Sequence, residues 1–227
     1  ISGTQILTKL PRILPALPKL VKGILIATSR NKTKPLGLGL CFEKAVKKNP
    51  NGLAIKYGNV EISYSDMNQW VNQISHYLLA QGLKKGDCVG VMVENRPELL
   101  ATVLACAKLG VVSAMINTGQ KGKVLSHSIR IVNPKLMVVG EECLESYEAI
   151  RNETQIPDDK HAYLADVDTL NDTGTAPAGW KNLAQEIKTQ PKTNLDFTHN
   201  IFAEDPCFYV YTSGTTGKPK GIVRDNG

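Results

Sequence analysis

The run YTSGTTGKPKG at residues 211–221 concentrates glycine, hydroxyl and lysine side chains. Gly214, Gly217 and Gly221 open backbone conformations closed to other residues and let the main chain approach a ligand closely. Successive free N–H groups in such a turn make a concavity for anions. Thr212, Ser213, Thr215 and Thr216 add hydroxyl donors, and Lys218 and Lys220 add positive charge. The chemistry that fits is the binding of a polyphosphate. The run is not a Walker loop, because two residues separate Gly214 from Gly217 and Pro219 follows Lys218. It is not a G-x-G-x-x-G dinucleotide turn either. On composition alone, a surface loop of small polar residues stays open as the alternative.

Something must present this loop, and the preceding sequence reads as alternating strands and helices. A short helix is expected over 39–48, stopped by Asn49-Pro50, and a hairpin around Gly58-Asn59. Ser65 is expected to cap a helix with Met67, Val71, Ile74 and Leu78 on one stripe, ended at Gly82. Strands follow at 88–95, 111–117, 135–140 and 161–166, with helices at 97–110, 122–133 and 141–152 between them. Apolar strands alternating with helices imply parallel pairing, helices on both faces and right-handed crossovers. The polar run at 166–182 reads as a surface loop, followed by a short helix over 182–189. The last strand, CFYVYTS at 207–213, runs straight into the glycine loop. A strand end is where open α/β sheets place ligands.

Composition narrows the partners. Net charge is +6, which suits an anionic ligand, an anionic membrane surface or nucleic acid. Aromatic content is 6% with no aromatic-basic interleaving, so nucleic acid is the weakest of the three. The five cysteines have long spacings and no C-x-x-C, and several lie in apolar runs. Reduced, buried thiols and a cytoplasmic setting are expected. The four histidines show no metal-ligand spacing, so no structural metal is expected. The N-terminal stretch is broken by Lys9, Arg12, Lys19, Lys22 and three prolines, so no run reaches the ~20 apolar residues of a membrane span. From Pro18 on, Leu17, Leu20, Val21, Ile24 and Leu25 would share one helix face. Two readings stand: a helix docked on its own domain, or a basic amphipathic contact of residues 1–30 with the inner face of a membrane.

The whole word YTSGTTGKPKG resembles the phosphate-binding loop of the adenylate-forming, or AMP-binding, enzymes. The stretches KYGNVEISYSDMNQWVNQISHYLLAQGLKKGDCVGVMVENRPE and ELLATVLACAKLGVVSAMINT resemble the segments that family carries before the loop. Their wording is similar to the fatty acid transport protein and very-long-chain acyl-CoA synthetase branch. The resemblance implies an α/β fold, a partial N-terminal large domain of an acyl-CoA synthetase with a mostly parallel sheet flanked by helices. Residues 1–36 would be a basic amphipathic extension, and 37–227 an incomplete adenylation domain ending just after the phosphate loop.

The resemblance also implies a two-step reaction. A carboxylate attacks the α-phosphorus of Mg-ATP, pyrophosphate leaves, and the acyl-adenylate passes its acyl group to the thiol of coenzyme A. Carried onto this sequence, Thr212, Ser213, Gly214, Thr215, Thr216 and Gly217 would wrap the phosphates. Lys220 would pair with phosphate charge, and Lys218 would be the more mobile of the two lysines. ATP, Mg2+, coenzyme A and a fatty acid are the implied cofactors and partners. The implied function is ATP-dependent long-chain fatty acid–CoA ligation. A short-chain ligase, a ligase loading a carrier-protein thiol, and a non-catalytic membrane-associated lipid-binding domain stand as alternatives.

Many family members place a histidine where this chain has Asn226, and its Arg224-Asp225 continuation looks more like the acetyl- and propionyl-CoA synthetase branch. The longer upstream match favours long-chain acids. Later family motifs are absent from these residues, so the chain is expected to be a portion of a longer protein and inactive alone. Glu94, Arg96 and Glu98 read as a helix-start cluster, Asp66 as support for a helix N-terminus, and His127 as a helix-surface residue. No general base is expected, because the attacking carboxylate is already an anion.

Overall fold

The computed structural model describes Pro18 and residues 35–165, 174–212 and 220–226. The expected N-terminal amphipathic helix falls outside the described residues, Pro18 excepted. Helix α1 (Leu38–Lys48) leads into a hairpin of β1 (Leu53–Tyr57) and β2 (Val60–Ser63), turned at Gly58. Helix α2 (Tyr64–Ala80) follows without a break. Its cap is Ser63 rather than Ser65. The Ser63 hydroxyl accepts from the Asp66 N–H at 3.1 Å and donates to the Asp66 carboxylate at 2.6 Å. The Ser65 N–H is taken instead by the Pro50 carbonyl at 2.8 Å, so helix geometry begins two residues earlier than the pattern suggests. Asp66 supports the N-terminus as expected.

The expected alternation then appears. Strand β3 (Cys88–Met92), α3 (Pro97–Leu109), β4 (Val112–Met115), α4 (Gly122–Val132) and β5 (Leu136–Gly140) follow in turn. Pro97 opens α3, and Gly110 closes it at φ 68°, a left-handed conformation that glycine adopts without a Cβ penalty. The helix expected over 141–152 breaks into a 3-10 turn at Glu141–Cys143, α5 (Leu144–Glu148) and α6 (Arg151–Thr154). Ile150, at φ −125° and ψ 0°, leaves the helical region while Cys143, Tyr147 and Ile150 all enter the core. Strand β6 (His161–Leu164) is followed by a two-residue β7 (Lys181–Asn182), α7 (Leu183–Glu186), β8 (Pro206–Thr212) and β9 (Lys220–Asp225).

Among the described residues the main sheet has seven strands in the order β7-β6-β5-β3-β4-β8-β9. Every pairing is parallel except β8 with β9. Strands β3 and β5 are buried along their whole length, because helices cover both faces. On one face, Val89, Val91 and Val138 pack with Val71 and Leu78 of α2 and Ala101, Ala105 and Leu109 of α3. On the other, Met92, Ala114, Met137 and Val139 pack with Leu125 and Ile129 of α4 and with Tyr147.

Helix α1 lies on α3 through Gly39, where an added Cβ would come within 2.8 Å of the Lys108 Cα. Lys108 is fully buried beneath it, with its ammonium 2.9 Å from Glu43 and within 2.6–3.0 Å of the carboxamide oxygens of Asn68, Asn72 and Asn194. Burial pulls its pKa down and Glu43 pulls it back up. Four of the cysteines are buried free thiols, and Cys41 is the exposed exception. Burial pushes Cys88 and Cys106 up to about 12, far from thiolate reactivity.

The polar run expected as a surface loop includes Trp180, which is buried, and residues 166–173 of it lie outside the described residues. The Trp180 indole stacks on His161 at 4.5 Å between ring centroids. His161 is itself buried, with Nδ1 2.9 Å from the Pro157 carbonyl and Nε2 2.7 Å from the Tyr147 hydroxyl. The consistent tautomer donates from Nδ1 and accepts the phenol proton at Nε2. Burial holds its pKa below the ordinary histidine value, against the pull of the Pro157 and Asp158 carbonyls. The unfolded chain therefore takes up the proton first. The contribution of the neutral imidazole to stability is full above the unfolded value of about 6.5 and is lost as pH falls from there through the lower folded pKa. Urea midpoints between pH 7.5 and 5.5 are expected to fall more steeply for the parent than for His161→Asn. Equal slopes would remove His161 from the acid response.

Candidate functional site

Strand β3 sends its chain through α3 to β4, and β4 sends its chain through α4 to β5 on the other side of β3. The two helices therefore lie on opposite faces, as their separate cores show. Between the carboxyl ends of β3 and β4 the loops part and leave a crevice, the place where open α/β sheets take ligands. A cleft of about 460 Å³ lies there. Val93, Glu94 and Asn95 line it after β3, Leu99 lines it from α3, and residues 115–118 line it from the end of β4.

Strand β8 pairs with β4, so its carboxyl end reaches the same edge of the sheet. The chain returns as β9, an antiparallel strand that sequence reasoning missed. Tyr211 pairs with Gly221 and Thr212 pairs with Lys220 across this hairpin. The two ends of the glycine-rich run are thus brought together beside the crevice. Ser213, Gly214, Thr215, Thr216, Gly217 and Lys218 lie outside the described residues. The stem is anchored from below: the Tyr211 hydroxyl donates to the Ser128 carbonyl of α4 at 2.8 Å. Burial pushes its phenol well above the ordinary tyrosine range, so it stays a donor. No local signal points to that contact beyond the place of Tyr211 at the head of the run.

The hairpin's other face is open. Tyr209 and Tyr211 pack into the α4 core, whereas Val210 and its partner Ile222 are exposed and join neither core.

The charged cluster at the start of α3 is more than a helix-start decoration. Arg96 is 7% exposed and sits 3.1 Å from both Glu98 and Glu142. It also donates to the Ala165 carbonyl at 2.7 Å, just past β6. Glu142 in turn accepts from the Glu94 N–H at 2.7 Å. The cluster ties the exits of β3, β5 and β6 together directly behind the crevice wall. Burial raises the Glu98 carboxyl above its usual range, against the pull of Arg96. His127 sits half-buried on α4 rather than freely on its surface. Among the described residues no helix is long and apolar enough to cross a membrane.

A family model described as AMP-binding enzyme matches residues 42–227. The chain is 27% identical over 216 residues to the medium/long-chain-fatty-acid–CoA ligase FadD6 of Mycobacterium tuberculosis, covering 95% of this chain and 34% of that protein. It is 29% identical over 185 residues to the long-chain fatty acid transport protein 6 of Homo sapiens, covering 80% of this chain and 28% of that one. It is 28% identical over 204 residues to the acetyl-coenzyme A synthetase of Escherichia coli, covering 82% of this chain and 30% of that one. The chain thus spans about a third of the length of these relatives. Among solved structures, the anthranilate CoA ligase AuaEII in complex with anthranoyl-AMP superposes with a TM-score of 0.72 at 24% identity, over 84% of this chain and 35% of that one. A Mycobacterium tuberculosis fatty acyl CoA synthetase superposes with a TM-score of 0.69 at 22% identity, over 84% of this chain and 34% of that one. These superpositions bear on the fold, a mainly parallel sheet with helices on both faces.

Proposed function

The chain belongs to the AMP-binding enzyme family, and from that premise we propose that it supplies the phosphate-gripping part of an ATP-dependent fatty acid–CoA ligase. The observation that carries the reading is the placement of the run at 211–221. Its two ends close a hairpin at the carboxyl edge of the sheet, next to the switch-point crevice. Thr212, Ser213, Gly214, Thr215, Thr216 and Gly217 hold the β- and γ-phosphates of MgATP through backbone amides and hydroxyls. Lys220 meets the charge that builds on the leaving pyrophosphate, and Lys218 contributes less.

The substrate carboxylate attacks the α-phosphorus and the acyl-adenylate forms as the α–β phosphoanhydride bond breaks. Coenzyme A thiolate then displaces AMP. Donors fixed before the reaction stabilise the developing charge without reorganising. The crevice, bordered by Glu94, Asn95 and Asn117, receives the ligand groups that extend from the hairpin along the strand ends. Residues 1–36 are proposed as a basic extension to a domain that runs from 37 onward.

The acid is proposed to be long-chain, on the length of the upstream similarity. Acetyl-coenzyme A synthetase relatives keep the short-chain reading in play. Pyrophosphate–ATP exchange decides both points. It would be measured on a protein carrying this chain joined to the further length its relatives have, across acids from acetate to very long chains. Exchange supported by long-chain acids is the expected result. Exchange with acetate alone would overturn the chain-length proposal, and no exchange with any acid would sink the ligase reading.

A further inference from the structure

Asn226 stands just after β9, at the foot of the hairpin and at the far end from Lys220. Its side chain works in two directions. Oδ1 accepts from the Leu38 N–H at 3.1 Å, and Nδ2 donates to the Asp205 carbonyl at 3.0 Å. Its own N–H donates to the Ala203 carbonyl at 3.0 Å.

Both side-chain partners need what Asn226 gives them. Leu38 opens α1, whose N-cap Gly37 has no capping side chain. A Cβ at Gly37 would meet Ile201 Cγ2 at 3.0 Å, so a cap has little room to grow from that position. An asparagine oxygen is the ordinary cap for such an orphan N–H. Here it arrives from 188 residues away. Asp205 immediately precedes Pro206, the first residue of β8. Its carboxylate is held by Lys85 and by the Phe202 N–H at 2.7 Å. Asn226 therefore joins the foot of β8 to the foot of β9 and fastens both to α1.

That foot contains a register irregularity. Pro206 pairs with Asp225, yet Phe208 pairs with Arg224, so β8 carries one extra residue. An antiparallel pair with such a bulge has neighbouring registers to choose from, and a one-residue slip moves alternate side chains to the opposite face. With β8 held by its pairing to β4 and by the Tyr211–Ser128 bond, a slip falls on the edge strand β9 and would turn Gly221 and Val223 off the face they share with Tyr211 and Tyr209. At the other end it would offset Thr212 from Lys220 by one strand step, ~3.4 Å.

We propose that Asn226 is a positioning residue for the phosphate hairpin, fixing the β8–β9 register by bridging Asp205 to the N-terminus of α1. The phosphate part of this rests on the function proposed above for residues 212–220. Two measurements test it. The first is amide hydrogen exchange on this chain. Asn226→Ala is expected to speed exchange of the β8–β9 ladder roughly tenfold while leaving β3 and β5 unchanged. Asn226→Asp keeps the acceptor for Leu38 and loses the donor to Asp205, so it should fall between the two. The second is steady-state adenylation by the longer protein. Asn226→Ala is expected to raise the KM for ATP about tenfold with the KM for the acid unchanged. Unchanged exchange, or exchange raised equally across the whole sheet, overturns the proposal. So does an unaltered ratio of the two KM values in an active protein. Faster ladder exchange, with no ATP reaction once the chain is joined to the further length its relatives have, would keep the clamp and remove the phosphate reading.

Discussion

Replacing Lys220 by methionine is expected to cut ATP-dependent adenylate formation by about 10²–10³-fold, the usual cost of one lost transition-state donor. Unfolding free energy should stay within about 0.5 kcal/mol of the parent. Lys220 opens β9 opposite Thr212, so its backbone belongs to the ladder and survives the change. Methionine keeps the length of the stem and removes only the charge. Negative charge grows on the pyrophosphate as it leaves, so a cation placed there acts more on the transition state than on bound ATP. The loss should therefore fall mainly on kcat. Pro219 separates Lys218 from Lys220 in the sequence, and Lys218 is the lysine expected to be the more mobile. The same substitution there should cost less than about tenfold. Rapid-quench measurement of adenylate formation with each variant checks the order. A Lys220→Met kcat within about threefold of the parent would take Lys220 out of the site.

The elements that could be read from the sequence were those whose signals are local. Strands β3, β4 and β5 are apolar runs, and Pro97, Gly110 and Asn133-Pro134 mark the ends of the helices between them. The motif at 211–221 stood out through glycine spacing and residue order, and the family match at 42–227 includes it. Strand β9 did not declare itself, because KGIVRD holds a glycine and three charged residues and becomes a strand only by pairing with β8. Ser63 and Ser65 are equally good caps by type. The choice fell to where the β1–β2 pairing ended. Long-range clusters left no local trace. Lys108 draws on residues from α1, α2 and the segment at 194, and Asn226 reaches back to Leu38. Each of these residues looks like an ordinary surface polar group until the topology brings its partners together.

Arg96 is a third residue of that kind, and Arg96→Met is expected to cost about 3–5 kcal/mol of stability. The methionine would fill much of the same space, so packing alone predicts little. The cost comes from what remains. Glu98 and Glu142 have side chains 3% and 12% exposed, and Arg96 is their shared counterion. The carbonyls of Leu164 and Ala165 lose their donor as well. Burial already lifts the Glu98 carboxyl, and without the guanidinium the lift must grow. A carboxyl whose folded pKa lies above its unfolded value stabilises the fold below the unfolded pKa and loses that contribution as pH rises through the folded pKa. The deficit of Arg96→Met should therefore be largest at neutral pH and shrink as the solution is acidified toward pH ~5. Glu98→Gln in the same background should recover part of it at neutral pH. Lysine should rescue poorly, since a single ammonium cannot reach two carboxylates and two carbonyls from a planar fork. Urea denaturation with unchanged m-values is the measurement. A neutral-pH loss below about 1 kcal/mol, with no acid recovery, would show that the cluster is an ornament of the helix start. The expected loss makes Arg96 the fastening of the crevice wall: Glu94 and Asn95 border the cleft from the same short loop that Arg96 pins to β5 and β6.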